Sequence, residues 1–181
     1  MLPAVAHCME QSGANGRELT RIVCGAGPGR FTSLRIAGAI AKGLATGFDI
    51  DLYAVSSLLL IVSAADPPLG EGEYLAVLDA MRGDCFSARV VVAADGGIVQ
   101  HGAAIILSGR EIQKLSSVEP ELRIVGPGQP IASAPHARSV ARLLSGIIAG
   151  GPVDLASWEP DYGRLPEAQV RLDAAKEGMV R

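Results

Sequence analysis

Apolar residues in the first third of the chain recur with helical spacing and with strand spacing in alternation. Leu2, Val5 and Met9 share one face of a predicted helix that ends at Ser12-Gly13. The pattern then predicts, in order, a strand over 21–24, a helix over 32–46 ending at Gly47, a strand over 51–55, and a helix from Ser56 that fades before Asp66. The opening segment is therefore predicted to be α/β.

The pattern changes after the Pro- and Gly-rich segment 67–72, which predicts a linker. Three successive strands follow at 74–79, 85–92 and 98–106, joined by turns at 82–84 and 95–97, which predicts an antiparallel meander. A helix near 109–115, a strand at 122–125 and a helix over 137–149 follow, the last burying Val140, Leu143, Leu144 and Ile147. We therefore predict an α/β protein of two lobes, divided into 1–66, the linker 67–72, 73–157 and a C-terminal tail over 158–181.

The most constrained segment joins the first strand to the second helix. It runs from Gly25 to Arg35 and contains Gly27, Pro28, Gly29, Phe31 and Thr32. Glycine permits positive φ and close approach, and proline fixes its own φ, so this segment predicts a rigid elbow between a strand and a helix. Thr32 is well suited to capping that helix.

An elbow before a helix can bind a phosphate, but the known phosphate motifs are not satisfied. No lysine follows the glycines as in a Walker loop, and Arg30 stands where a dinucleotide-binding fingerprint has its third glycine. A ligand-free turn is the alternative, and the motif evidence favours it.

Composition limits the classes of function. With 49% hydrophobic residues the chain can form a core, and a net charge of −3 gives no broad basic surface for binding a nucleic acid. The three cysteines are widely spaced, which fits reduced thiols. The longest apolar stretch, 53–65, is too short and too serine-rich to span a bilayer, so we expect a cytoplasmic protein without membrane insertion.

Residues with catalytic potential are scattered. His7, His101 and His136 are isolated from one another, and no Gly-x-Ser-x-Gly motif is present. Asp79 and Asp84 flank a Met-Arg-Gly sequence, where turn residues are the simpler interpretation of two carboxylates. We therefore predict neither a metal site nor a catalytic residue.

Four blocks in the same order resemble the TsaB (YeaZ) family, the tRNA threonylcarbamoyladenosine biosynthesis subunit, which has also been described as glycoprotease-like. They are the elbow with the following Lys42-Gly-Leu-Ala45, Asp51 to Ser57, Ala76 to Phe86, and Pro160 to Ala168. Arg30, Ser33 and Gly163 depart from the family pattern. The strand-rich opening of the family, with its Ile-Asp-Thr-Ser motif, is not found before the elbow.

The resemblance implies a two-lobed actin-like ATPase (ASKHA) fold whose first lobe is incomplete at its N-terminus. It also implies a non-catalytic scaffold that binds the catalytic TsaD-like paralogue through the first two helices. A TsaE-like ATPase and a second copy of the chain are further implied partners. tRNA would be contacted only through the complex, and ATP and a metal would belong to the catalytic partner alone.

The candidate interface consists of small and aliphatic residues on the first two helices: Leu2, Val5, Met9, Leu34, Ala37, Gly38, Ala41 and Ala45. Taken alone, small residues on one helix face favour packing against the chain's own sheet, and the resemblance shifts that balance towards an interface. On the interface hypothesis, Gly38→Leu abolishes partner binding and leaves the far-UV spectrum unchanged.

Two further hypotheses come from other classes of protein. A nucleotide-dependent enzyme of the actin-like superfamily would bind ATP tightly on its own, and a peptidase would need metal-dependent or serine-dependent hydrolysis. Arg35 and Lys42 are the only charged residues of the second helix. They indicate either contact with an anion or carboxylate, or a solvated or salt-bridged structural role.

Overall fold

The computed structural model describes residues 2–163 of the chain. The helices are α1 (Leu2–Ser12), α2 (Phe31–Phe48), α3 (Ser57–Ser63), α4 (Gly109–Val118) and α5 (Leu144–Ala149), with 3₁₀ turns at Gly16–Glu18 and Ala137–Arg142. The strands are β1 (Arg21–Gly27), β2 (Asp51–Ser56), β3 (Gly72–Asp79), β4 (Asp84–Val92), β5 (Ile98–Ser108), β6 (Arg123–Gly126) and β7 (Ile131–Ala132). The predicted C-terminal tail extends to residue 181, and its residues 164–181 lie outside the described part of the chain.

The first sheet consists of β1 and β2, which pair in parallel from Arg21 opposite Asp51 to Gly25 opposite Val55. Helix α2 connects them, because parallel strands need a crossover of about a dozen residues or more. Its small residues let it approach the strands closely. The resulting core cluster consists of Cys24, Ala41, Ala45 and Leu52.

The second sheet has the order β5-β4-β3-β6-β7. The predicted meander is confirmed, since β3, β4 and β5 pair antiparallel in sequence order, while β6 joins β3 in parallel. Helix α3 covers one face through Leu58, Ile61 and Val62, and α4 covers the other through Ile112. Strand β3 is therefore buried on both faces, with four consecutive buried residues over 74–77.

The helix boundaries differ from the predicted ones where the backbone decides them. Helix α2 begins after Arg30, whose side chain makes no capping hydrogen bond, so the assignment of Thr32 as the cap is wrong. The last helical residue is Phe48, and Asp49 caps the helix in the left-handed conformation, whereas the sequence predicted an end at Gly47. The predicted helix over 137–149 is divided into a 3₁₀ turn and α5, and of its four expected core residues only Leu143 is fully buried.

After α5 the chain returns to the first sheet. The Val153 N–H donates to the Leu52 carbonyl (2.8 Å), and the Asp161 N–H donates to the Ala26 carbonyl (2.7 Å). Residues 152–163, hereafter the tail segment, thus lie against β1, β2 and α2. Residues 153–157, from the predicted second lobe, therefore pack against the first sheet, and α3, from the predicted first lobe, packs against the second sheet. The division of the chain into lobes stays a prediction.

Candidate functional site

The elbow between β1 and α2 is occupied by the chain itself. Gly27 has φ +99°, and a Cβ there would collide with the Asp161 carbonyl. Pro28 is completely buried beside it. The positive φ and the nearby Asp161 carbonyl therefore both require glycine at position 27. This contact with the tail segment supports the interpretation of the elbow as a ligand-free turn. Of the other elbow residues, Gly25 and Gly29 are half-buried, and Thr32 and Arg35 are exposed.

One face of α2 points into the protein. Leu34, Gly38, Ala41 and Ala45, hereafter the inner stripe, are all buried. A Cβ on Gly38 would lie 3.1 Å from Pro160 Cγ and 3.6 Å from Trp158 Cζ3. Ala37 is half-buried against the same cluster as Ala41. These helix residues are covered by the chain's own sheet and tail segment, so the four of the inner stripe are withdrawn from the candidate interface.

A second stripe with the same spacing lies on the other side of α2. Ile36, Ile40, Gly43 and Gly47, hereafter the outer stripe, follow the inner stripe by two positions, which is roughly 200° around a helix of 3.6 residues per turn. Ile36 is 47% exposed, and a Cβ on Gly43 or Gly47 would have no neighbour within 4 Å. Ile40 is half-buried, so α2 has an apolar, low-relief face that the described chain covers only in part.

Helix α1 also has an uncovered apolar face. No residue of α1 is buried. Leu2 is 53% exposed, while Val5 and Met9 are half-buried. An amphipathic helix normally buries its apolar stripe against a core, so α1 retains a surface suited to another protein. The three α1 residues of the candidate interface thus remain available for binding.

A small open cleft lies where α2 meets the tail segment. Its cavity volume is about 150 Å³, and its lining consists of Arg35, Gly38, Ala39, Lys42, Trp158, Glu159, Pro160 and Tyr162. Lys42 Nζ is 5.8 Å from the centre of the Trp158 ring, and Arg35 Cζ is 5.3 Å from that of Phe31. Phe31 in turn contacts Tyr162, with 4.6 Å between ring centres. We call this site the cation cleft. Sequence reasoning named both cations and Phe31, but it missed Trp158 and Tyr162.

The three histidines lie on separate parts of the fold. His7, His101 and His136 lie on α1, on β5 and before the second 3₁₀ turn. Among residues 2–163, no three His, Cys, Asp or Glu side chains lie together in a way that could hold a metal ion. Asp79 Oδ1 accepts a hydrogen bond from the Met81 N–H (2.8 Å), as a turn residue does.

The cysteines are unpaired thiols, in agreement with the sequence-based expectation. Burial raises the pKa of the Cys24 thiol. Burial, followed by the charges of Asp79 and Asp84, raises the pKa of Cys85. Neither environment favours a thiolate, so neither resembles the site of a reactive cysteine.

Comparison with known proteins gives a family. Residues 1–97 match the family model described as "TsaD: tRNA N6-adenosine threonylcarbamoyltransferase". The tRNA threonylcarbamoyladenosine biosynthesis protein TsaB of Escherichia coli is 34% identical over 89 residues, which are 49% of this chain and 38% of that protein. TsaB of Bacillus subtilis is 35% identical over 86 residues, which are 48% and 37%. The chain thus spans less than half the length of these curated relatives.

Solved structures agree in fold. A Pseudomonas aeruginosa protein described as similar to peptidase YEAZ has a TM-score of 0.74 and 22% identity, over 90% of this chain and 82% of that one. YeaZ from the same organism has a TM-score of 0.71 and 24% identity, over 89% and 81%. The predicted α/β, actin-like ATPase-type fold is confirmed.

The matched model covers more than half of the chain, and the curated relatives share one name. The chain therefore belongs to this threonylcarbamoyltransferase family, on its TsaB (YeaZ) branch. The resemblance found in the sequence is confirmed. No helix within residues 2–163 has the length and apolar character needed to cross a membrane.

Proposed function

We propose that this chain is a non-catalytic scaffold subunit of the complex that forms N6-threonylcarbamoyladenosine beside the anticodon of tRNA. Its curated relatives are named as biosynthesis proteins of that modified nucleoside. The observation that carries the proposal is the uncovered apolar surface formed by α1 and by the outer stripe of α2. A scaffold needs such a surface, whereas an enzyme needs a chemical centre.

The proposed partner is the TsaD-like catalytic paralogue, which binds α1 through Leu2, Val5 and Met9. On α2 it contacts Ile36, Ile40, Gly43 and Gly47. The two glycines lower the relief of the helix, so that another helix can approach closely. This surface replaces the inner stripe of the sequence-based prediction and keeps the two helices that it named.

The scattered histidines and the absence of a metal-ligand cluster within residues 2–163 support assigning the chemistry to the partner. ATP and a metal are accordingly proposed for the catalytic subunit. With a net charge of −3, the chain is proposed to meet tRNA only within the complex, in the cytoplasm, together with a TsaE-like ATPase. Binding of a second copy through the same two helices is the competing use of this surface.

The test is co-elution of the full chain with the TsaD-like subunit on a sizing column with mass detection. The decisive variant is Gly43→Leu, which adds a side chain to the outer stripe where the fold has open space. We expect it to fold and to weaken the heterodimer at least tenfold. The matched control is Gly146→Leu in α5, another helical glycine with no neighbour around its missing Cβ.

Loss of the heterodimer only with Gly43→Leu supports the proposed surface. Equal binding by the two variants removes the outer stripe from the interface, and separate elution of the wild-type chain contradicts the scaffold function. Tight ATP binding by the chain alone would instead support a nucleotide-dependent enzyme.

A further inference from the structure

We propose that the cation cleft receives a single carboxylate side chain of the partner subunit, held between Arg35 and Lys42. This inference rests on the proposed scaffold function. It adds a charged anchor to an interface that is otherwise apolar, and it specifies the chemistry of the partner at that point.

Aromatic rings orient the two cations, and neither cation forms an ion pair within the described chain. They lie seven residues apart on α2, so two helical turns place them on the same side, about 10.5 Å apart along the axis. The aromatic rings beneath Arg35 and Lys42 limit their freedom, which lowers the entropy lost when an anion binds. No ion pair within residues 2–163 includes either cation.

Two carboxylates lie near the cleft without pairing with its cations. Glu159 is part of the lining, and no ion pair joins it to Arg35 or Lys42. Hydrogen bonds from Ser157 chiefly, and then from the Ala156 amide, lower the pKa of Asp154, to which Lys42 contributes only the last and smallest effect. The Asp154 carboxylate accepts its hydrogen bonds within its own turn and forms no ion pair with Lys42, so the Lys42 donors are left for an incoming carboxylate.

The dimensions of the cleft favour a side chain over a nucleotide. A cavity of about 150 Å³ is smaller than the roughly 300–1,000 Å³ typical of sites for small molecules. Gly38 and Ala39, which also line the cleft, have no long side chain that would block access to the cations. Ala39 is exposed and lies on α2 between the cations and the outer stripe. The cleft therefore continues the proposed interface.

The experiment measures the affinity of the full chain for the TsaD-like subunit by calorimetry at low and at moderate salt. We expect Lys42→Ala to weaken binding about tenfold, and Lys42→Glu and Arg35→Glu to weaken it further, with the wild-type affinity falling as salt rises. Arg110→Glu on α4 is the matched control, because it reverses an exposed charge on another element and should change affinity less than twofold. A partner variant with one acidic residue changed to lysine should restore binding to Lys42→Glu.

Other outcomes overturn the inference in distinguishable ways. If the wild type and both glutamate variants bind the partner equally, the carboxylate site is refuted while the scaffold function stands. If the wild-type chain does not bind at all, both fail. Titration with ATP or inorganic phosphate, followed by fluorescence of Trp158 in the cleft, covers a free anion. A submillimolar Kd that Lys42→Glu abolishes would assign the cleft to that anion instead.

Discussion

The two faces of α2 predict opposite effects of the same substitution on stability. Gly38 and Gly43 are both interior helix positions, five residues apart. At Gly43 a new side chain enters open space, whereas at Gly38 the Cβ alone approaches Pro160 Cγ to 3.1 Å. Leucine at the two positions thus separates the effect of helix propensity from that of packing against the tail segment.

The expected magnitudes follow from these contacts. Replacing a helical glycine by leucine contributes about 0.5–1 kcal/mol to stability, and this is the whole effect expected for Gly43→Leu. At Gly38 the same gain is opposed by overpacking, which costs about 1–3 kcal/mol when rings must move. Pro160 and Trp158 are the groups that have to move. The gain is common to both variants, so we expect them to differ by the overpacking cost of about 1–3 kcal/mol, or about 2–12 °C in Tm for a chain of this size.

The assay is urea and thermal unfolding followed by far-UV circular dichroism and by tryptophan fluorescence. Trp158 is the single tryptophan of the chain and belongs to the tail segment, so its emission reports displacement of that segment directly. Gly38→Leu should shift the native emission to longer wavelength, and Gly43→Leu should leave it unchanged. Equal stabilities with identical emission would show that the inner stripe is not packed as described. The hypothesis that Gly38→Leu affects only partner binding is not compatible with the contacts at Gly38.

Three further predictions test other parts of the chain. Gly27→Ala should destabilise by at least about 1–2 kcal/mol in urea unfolding, because alanine disfavours the positive φ and its Cβ meets the tail segment; unchanged stability would contradict the elbow geometry. Hydrogen bonds from Ser108 lower the pKa of Glu111 from 4.5. The stability that its carboxylate adds to the fold is therefore fully present above pH 4.5 and is lost as the pH falls through the lowered pKa. The stability advantage of the wild type over Glu111→Gln should therefore shrink on acidification, and a constant difference from pH 7 to 3 would refute the assignment. In a thiol titration of the folded chain Cys8, which is exposed, should react first, and Cys24, which is buried, only on unfolding; simultaneous reaction would contradict the burial.

Part of the candidate site was predictable because it is encoded locally. The glycines and proline of the elbow restrict their own backbone, and the cations at 35 and 42 share a helix side by spacing alone. Phe31, which orients Arg35, lies four residues before it on the same helix, whereas the ring that orients Lys42 and the ring that contacts Phe31 were not predictable from α2. Trp158 and Tyr162 lie more than a hundred residues away along the chain, and only the return of the tail segment brings them to the helix.

The amino-acid sequence is enough to predict the order of the helices and strands from α1 to β6, the meander of the second sheet and the family. These features depend on apolar periodicity and turn residues within short windows. Which face of α2 is exposed to solvent depends on the tertiary structure. The inner and outer stripes have the same spacing and similar small or aliphatic residues. Only the positions of β1, β2 and the tail segment, which remove one stripe from water and leave the other exposed, distinguish core from surface.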